Sequence, residues 1–496
     1  MEKRLTAFIN SINRELFTGP REQNITGLCY DSRYASTGSL FFALPGLHTD
    51  GKRFIDDAVK RGATTVIYEG ELSRLHPGVS YIRVKNSRSA MSTLSAAFFD
   101  HPSRELTVIG VTGTDGKSTT VSFIYQLLQA CGMHSGFLST VQFNTGGAAG
   151  HNYLRQSTPE APEIHGLLAE MRDNGVKYAA VEATSHGLSE KTQRLRDVRF
   201  SSAVITNITH EHLEFHGSFA AYRHDKANLF RNAAIAVINR DDPHAEYFLA
   251  AADRAGSRSY TYSLQASAVT DFRLLSYEEQ PDSIDFHFSY GGEDFSTSLP
   301  FIGSFNIENY AAAFLAVQTL TGCSPGLLAR SAAKLHPVAG RMNVIRAGQP
   351  FRIIVDYAHT PGSFAKVLPV IREQTEKRLI AVFGSAGERD VEKRPQQGKL
   401  ADRYCDILVL TDEDPRGEDP LSILKDIAAG CTGKEEGENL LLIPDRREAI
   451  KKAFSLAEAG DTVLLLGKGH EKSIIYKDGA IEWDESAEAL KCLQGY

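Results

Sequence analysis

Paired cysteines, long apolar runs and an excess of basic charge are all missing from this 496-residue chain. Its six cysteines stand apart at 29, 131, 323, 405, 431 and 492, with no C-x-x-C pair. That scatter argues against a zinc site or a disulfide framework and predicts reduced thiols. No stretch reaches the ~18 uninterrupted apolar residues that a membrane-spanning helix needs. The opening MEKRLTAFINSINRELFTG lacks the continuous apolar segment of a secretion signal. A cytoplasmic protein is expected, with no direct membrane insertion. The net charge of −7 speaks against a general binder of nucleic acid or of anionic membranes. Repeats, low-complexity tracts and long tails are also lacking.

What is present has the composition of an ordinary globular protein, 42% hydrophobic and 23% charged. The length exceeds what one core supports, so several domains are expected. Three regions separate. Residues 1–103 hold SLFFALPG and GATTVIY, short apolar runs edged by glycine, and end at FFDHPSREL. Residues 104–340 repeat strand-like runs (LTVIGVTG, KYAAVEAT, SSAVITNIT, AAIAVINRDD) with helical segments between them, the pattern of a parallel sheet covered by helices. Within this region SIDFHFSYGGEDFSTSL alternates around Gly291-Gly292, which predicts a hairpin. Residues 341–496 form a second α/β unit, with strand runs in FRIIVDYAHTP, RLIAVFGSAGERD, CDILVLTDEDPRGED, NLLLIPD and DTVLLLGKGHE. Ile450, Ala453, Phe454 and Ala457 have helical spacing. The predicted fold class is α/β, and polar clusters follow the strands where open α/β sheets gather ligands.

GVTGTDGKSTT (110–120) follows one such strand and precedes a helical segment. Gly110, Gly113 and Gly116 let backbone N–H groups turn toward an anion, Lys117 can reach phosphates, and Ser118 can ligate Mg²⁺. The spacing departs from strict G-x-x-x-x-G-K-[ST], since position 111 is valine. Glu182 and His212 each follow a strand and fit either a metal-ligand role or a plain strand-end polar role. Lys226, read alone, is an ordinary surface lysine.

The ordered motifs DSRYASTGSLFFALPG, STP (157–159), EATSHGL, HEHLEFHGSFAAYRHDK, GSFNIENYAAA, GRMN, DYAHTP, GERDVEKRP, DPRGEDP and GKGHE resemble the Mur ligase family, and within it the tripeptide-synthetase branch. The resemblance runs almost end to end. It implies an N-terminal UDP-sugar domain, a central ATP-binding P-loop domain and a C-terminal Rossmann-like, amino-acid-binding domain. The implied reaction is ATP- and Mg²⁺-dependent addition of a free diamino acid to UDP-N-acetylmuramoyl dipeptide through an acyl phosphate. By the same resemblance Gly110, Thr112, Gly113, Thr114, Asp115, Gly116, Lys117, Ser118 and Thr119 contact ATP, with Asn306, Arg341, Asp356 and His359. The metal ligands are Ser118, Glu182, His212 and Lys226, the last as a carbamate. Ser32, Ser157, Thr158, Thr184 and Arg194 would hold the UDP substrate, with Gln193 or Arg196 replacing Arg194 if the alignment slips. Nucleotide binding would close one domain onto another, and a monomer is expected.

TDEDPRGEDP (411–420) gathers Asp412, Glu413, Asp414, Glu418 and Asp419 around Arg416. Read alone it is a solvated acidic turn. Within the resemblance it becomes an amino-acid receptor: Arg416 binds a carboxylate as a fork, nearby acids accept ammonium groups, and Arg389, Glu413, Asp414, Pro415, Gly467 and Glu471 complete the site. Diaminopimelate-using relatives usually read Asp-Asn-Pro-Arg where this chain has Glu413-Asp414-Pro415-Arg416. A carboxylate in place of the amide removes a donor and adds charge, which favours a distal ammonium, so L-lysine or L-ornithine is expected at least as readily as meso-diaminopimelate. Asp115, Gln156-Ser157, Glu211 and Asn343 are further departures, none removing a group the chemistry requires. A folylpolyglutamate-type ligase and a nucleotide-binding regulatory switch, the latter from VINRDD (237–242), are the competing readings.

Overall fold

The computed structural model describes residues 2–494 apart from 47, 48, 153, 155, 210 and 212. The chain is a mixed α/β protein of two compact units. One comprises residues 1–263, 269–272 and 311–328, the other residues 264–268, 273–310 and 329–496.

The first unit begins with a five-stranded sheet in the order Leu16–Thr18, Ser80–Arg83, Thr65–Tyr68, Ser39–Phe42, Gly27–Cys29. All pairings but the first are parallel. Leu40 and Phe42 face one core and Phe41 and Val66 another, so the strand SLFF is buried throughout because both faces are covered. Helix Ser87–Phe98 starts where the Asn86 side chain accepts from Ser89 N at 2.8 Å.

The larger sheet of this unit runs Ser135–Leu138, Tyr178–Glu182, Thr107–Thr112, Ser202–Ile205, Ile235–Asn239, Arg258–Ser263, all parallel. Val108, Val181, Ala203 and Ile205 enter its core with Ile164 and Leu168 of helix Ala161–Asp173. Parallel order brings the carboxyl ends of Thr107–Thr112 and Tyr178–Glu182 to one edge, with Glu182 paired to Val111. The site is built at that edge.

In the second unit the strands Phe272–Glu279, Ile284–Tyr290 and Glu293–Leu299 are neighbours in sheet order. The last two form the expected hairpin, with Tyr290 opposite Glu293 and both Gly291 and Gly292 at positive φ (62° and 85°). Two such residues are what a type I′ turn needs, and glycine adopts them without strain. The unit's main sheet has the order Asn343–Ile345, Arg352–Asp356, Thr462–Leu466, Leu379–Phe383, Ile407–Leu410, Leu440–Leu442, and only the first pairing is antiparallel. Helix Arg446–Leu456 buries Ala449, Ile450, Ala453 and Phe454 against it, and Ala457 caps the helix. Among the described residues no helix is long and apolar enough to cross a membrane.

One expectation is corrected. Cys131 and Cys323 are disulfide-bonded, with Cα atoms 6.4 Å apart, while Cys29, Cys405, Cys431 and Cys492 are free and buried. Cys131 caps the helix Lys117–Ala130 and Cys323 follows the helix Phe305–Thr321. The two lie 192 residues apart, so spacing in the sequence gave no sign of the pairing. Alkylation of the denatured, unreduced chain should therefore label four cysteines. Cys131 and Cys323 should react only after reductant, as read by peptide mass mapping, and reduction should lower the Tm because it frees a long loop in the unfolded chain.

Candidate functional site

The glycine-rich turn occupies the step from strand Thr107–Thr112 to helix Lys117–Ala130. Gly110 is not part of the turn. It lies inside the strand, where an added Cβ would stand 2.5 Å from Leu229 Cδ1 and 2.8 Å from Phe200 Cδ1. Its missing side chain answers to packing. Gly113 is required by the turn itself: its φ is +153° and a Cβ would fall 1.8 Å from Thr206 Oγ1. The N–H groups of Thr114 and Asp115 donate to Asn207, at 2.9 Å to its carbonyl and 3.0 Å to Oδ1. An anion is thus left the helix start, Gly116 to Thr119, where the first N–H groups have no partner within the helix. Lys117 Nζ folds back on the turn, donating to Thr114 O (2.7 Å) and Gly113 O (3.1 Å).

Glu182 ends the neighbouring strand and is almost fully buried. Its carboxylate accepts from Ser118 Oγ (3.0 Å), from Thr140 N (3.0 Å) and from Thr140 Oγ1 (3.0 Å). The same Thr140 hydroxyl lies 2.7 Å from Ser157 Oγ. Thr158 Oγ1 donates to the Glu182 carbonyl (2.8 Å) and accepts from Thr184 N (3.0 Å). Arg194 closes the cluster, reaching Thr158 O at 2.9 Å and Glu160 Oε1 at 2.8 Å. Ser157, Thr158, Thr184 and Arg194 therefore assemble beside Glu182. Ser32 is buried in the smaller sheet's region.

Lys226, on helix Phe219–Ala227, is buried rather than exposed. Its Nζ donates to Gly113 O at 2.6 Å and stands 4.5 Å from the centre of the Tyr222 ring. Burial first, and then the nearby Lys117 cation, hold its ammonium well below the ordinary lysine range. This amine is consequently disposed to be neutral. His212 lies outside the described residues, and among those described no group of three His, Cys, Asp or Glu side chains forms a metal cage. The Ser118 and Glu182 oxygens, 3.0 Å apart, match the hard donors that Mg²⁺ takes.

In the second unit the acidic loop leaves strand Ile407–Leu410. Glu413, Asp414 and Lys468 are buried. Lys468 Nζ bonds Asp414 Oδ1 (2.8 Å) and Glu471 Oε2 (2.5 Å). Asp414 Oδ1 also accepts from Ile475 N (3.0 Å), and Tyr357 OH reaches Glu471 Oε1 (3.4 Å). Burial raises the carboxyls of Glu413 and Glu471 above their ordinary range. Glu413 Oε2 and Arg416 Nε are buried with no hydrogen-bond partner among the described residues. Unmatched buried polar atoms are costly, and two in one loop point to a ligand. Arg416 itself sits at φ 54°, held by its N–H to Ile475 O at 2.9 Å. Gly467 approaches so closely that a Cβ would lie 3.2 Å from Glu413 Oε2. Arg389 is on an exposed turn, and a Cβ on its neighbour Gly387 would be 2.1 Å from Pro415 O. The turn is therefore packed on the receptor loop.

The same unit holds Asn306, Arg341, Asp356 and His359. Asn306 Nδ2 donates to Ile302 O at 2.8 Å. The Asp356 carboxylate is spent on backbone, accepting from Met342 N (2.8 Å) and Ala358 N (2.7 Å). Arg341 lies 4.6 Å from the centre of the Tyr357 ring, and its Nε has no partner among the described residues. Sequence reasoning passed over Thr140, Glu160, Tyr357, Lys468 and Arg446. Arg446 is fully buried against Glu485 and donates to Asp412 O (3.0 Å) and Leu466 O (2.8 Å), tying together the loops that follow strands Ile407–Leu410 and Thr462–Leu466. Glu160, Tyr357 and Lys468 stood inside or beside quoted motifs and could have been singled out. Thr140 and Arg446 had no local signal.

Known families and solved structures resemble this chain along nearly its whole length. The family models described as "Mur ligase family, catalytic domain", "Mur ligase middle domain" and "Mur ligase, glutamate ligase domain" match residues 24–99, 111–317 and 340–469. A UDP-N-acetylmuramyl-tripeptide synthetase of Treponema denticola is 45% identical, over 99% of this chain and 94% of the relative. A UDP-N-acetylmuramoyl-L-alanyl-D-glutamate--2,6-diaminopimelate ligase of Syntrophomonas wolfei is 36% identical, over 99% of both chains. A solved structure of a ligase with that same name superposes with a TM-score of 0.67 at 30% identity, over 99% of both chains. Matched along nearly its whole length by relatives above 30% identity, the chain belongs to the Mur ligase family.

Proposed function

We propose that this protein adds a diamino acid to UDP-N-acetylmuramoyl-L-alanyl-D-glutamate in an ATP-dependent amide-forming reaction, as a cytoplasmic monomer. The division of labour is 1–103 for the UDP-sugar, 104–340 for ATP and 341–496 for the amino acid. The observation that carries the reading is the continuous chain Ser118–Glu182–Thr140–Ser157. It joins the start of the phosphate-binding helix to the Ser157, Thr158, Thr184 and Arg194 cluster, so that a terminal phosphate and a substrate carboxylate are handled in one network.

A carboxylate is a poor acyl donor, so its oxygen first takes the γ-phosphoryl group. The neutral amine of the amino acid then attacks the acyl phosphate, and phosphate leaves. Helix N–H groups from Gly116 to Thr119 and the Lys117 ammonium stabilise the phosphoryl charge. Arg194, braced by Glu160, orients the substrate carboxylate. Ser118 and Glu182, with His212 and carbamylated Lys226, would hold Mg²⁺, whose contribution is to neutralise phosphate charge. Asn306, Arg341 and His359 contact the nucleotide, and Asp356 shapes the Arg341 turn. Ser32 takes part in holding the uridine nucleotide. Arg416, Arg389, Glu413, Asp414, Pro415, Gly467 and Glu471 build the receptor for the diamino acid. The unpaired Glu413 oxygen favours a free distal ammonium, and hence L-lysine or L-ornithine at least as readily as diaminopimelate. Neither a folylpolyglutamate-type ligase nor a nucleotide switch has a use for this receptor together with the N-terminal lobe.

Three measurements check the proposal. Phosphate release should require both UDP-N-acetylmuramoyl dipeptide and a diamino acid, and free L-lysine, L-ornithine and meso-diaminopimelate competing in one assay should show no strong preference for diaminopimelate. Turnover indifferent to both co-substrates would leave the switch standing. Thr140→Val should lower kcat about 10- to 100-fold with the fold retained, as loss of an outer partner of a metal or substrate ligand does. Lys226 should carry one added CO₂ by intact mass. Its addition needs the neutral amine, so the adduct should be lost on acidification through the lowered pKa. A Lys226→Met variant should be inactive and carry none.

A further inference from the structure

We propose that Lys468 is a positioning residue of the amino-acid receptor: its buried ammonium ties Asp414 to Glu471 and thereby leaves Glu413 as the carboxylate that meets the incoming amine. This rests on the ligase reading above and names how its receptor is set. The side chain is fully buried, and its Nζ stands between Asp414 Oδ1 at 2.8 Å and Glu471 Oε2 at 2.5 Å. One acid belongs to the loop after strand Ile407–Leu410, the other to the loop after strand Thr462–Leu466. A single cation thus bridges the two loops.

The backbone around Lys468 is committed to this arrangement. Its neighbours Gly467 and Gly469 both have positive φ, +98° and +48°. A Cβ at Gly469 would fall 2.7 Å from Tyr357 Cβ and 2.8 Å from Gly340 O, so the loop has no side-chain-bearing alternative there. Only glycines on both sides let the lysine point inward. A buried ammonium survives when well-placed anions surround it, and here burial pulls its pKa down while Glu471 and Asp414 more than offset this, holding it above the ordinary lysine value.

A satisfied structural ion pair would explain those contacts but not their remainder. Three acids converge, two are engaged by Lys468, and the third keeps Oε2 buried and unpaired. The charged and titratable groups facing Glu413 include Lys393, Lys468, Asp414 and Arg446, together with Glu471 and Tyr357. Arg446 is itself paired with Glu485, and Lys393 donates to His359 O. Tyr357 covers the far oxygen of Glu471. An arriving ammonium therefore finds its open acceptor at Glu413. Without Lys468, Asp414 and Glu471 would compete for that ammonium and repel each other.

The test compares Lys468→Met and Lys468→Arg with the wild-type full chain in steady-state phosphate release. Expected for Lys468→Met are a KM for the diamino acid raised at least 10-fold, a KM for ATP within twofold of wild type, and an acid limb of kcat/KM moved to higher pH. The last follows because carboxylates that lose a cation hold protons more tightly. Lys468→Arg should keep the wild-type acid limb and recover most of the affinity. An unmoved KM and acid limb in Lys468→Met, or equal damage from Lys468→Arg, would overturn the assignment. Should Lys468→Met fail to fold, the pair Lys468→Met with Asp414→Asn removes one charge of each sign. It should fold with the amino-acid KM still raised, and a wild-type KM in that pair would count against the proposal. A wild-type chain that releases no phosphate with any diamino acid sinks the ligase reading itself. Normal wild-type turnover with an unaffected Lys468→Met sinks this inference alone.

Discussion

The buried carboxylate of Glu182 is the constraint on which the first unit's site depends. A lone buried carboxylate is expensive, and this one is retained because three donors converge on it. Those donors are not interchangeable. One is the hydroxyl at the start of the phosphate-binding helix, and the other two come from Thr140, whose hydroxyl also meets Ser157. Satisfying one acid therefore fixes the separation of three segments that would otherwise be independent loops. The same strand end supplies the Glu182 carbonyl to Thr158, so backbone and side chain of a single residue organise both halves of the site.

The second unit solves a related problem with opposite emphasis. Its receptor concentrates acids in a buried loop, where mutual repulsion and burial both oppose ionisation. Lys468 and Arg446 offset that, the first through side-chain carboxylates and the second through the carbonyls of Asp412 and Leu466. Positive φ gathers in these loops: Arg416 bears it as a side-chain-carrying residue, at some cost, while Gly467 and Gly469 adopt it freely. Arg446 is in turn held by Glu485 of the C-terminal helix, which is also bonded by Trp483. The geometry of these loops thus extends to the helix Glu485–Gln494 that follows them in the chain.

The alternation of apolar strands with amphipathic helices made the α/β class readable, because parallel sheets covered on both faces demand apolar strands such as LIAVF. The hairpin at Gly291-Gly292 was equally readable, since two consecutive positive-φ positions are a local requirement. Motif order carried the family. That Gly110 lies in the strand and is packed against Leu229 and Phe200 was not legible, because a glycine in a motif gives no sign whether a turn or a neighbour's side chain excludes the Cβ. Lys226 looked like a surface lysine because burial is not a local property.

By itself the sequence determined the succession of strands and helices, the phosphate turn and the acid-rich receptor loop, since each follows from residues close in the chain. Only tertiary structure decided that Thr140 links Glu182 to Ser157, that Lys226 is enclosed and disposed to be neutral, that Cys131 meets Cys323, and that Lys468 engages Asp414 and Glu471 while Glu413 stays open. Apart from the local Lys468–Glu471 pair, those outcomes depend on desolvation and on contacts between segments tens to hundreds of residues apart, and both come into being when the sheets assemble.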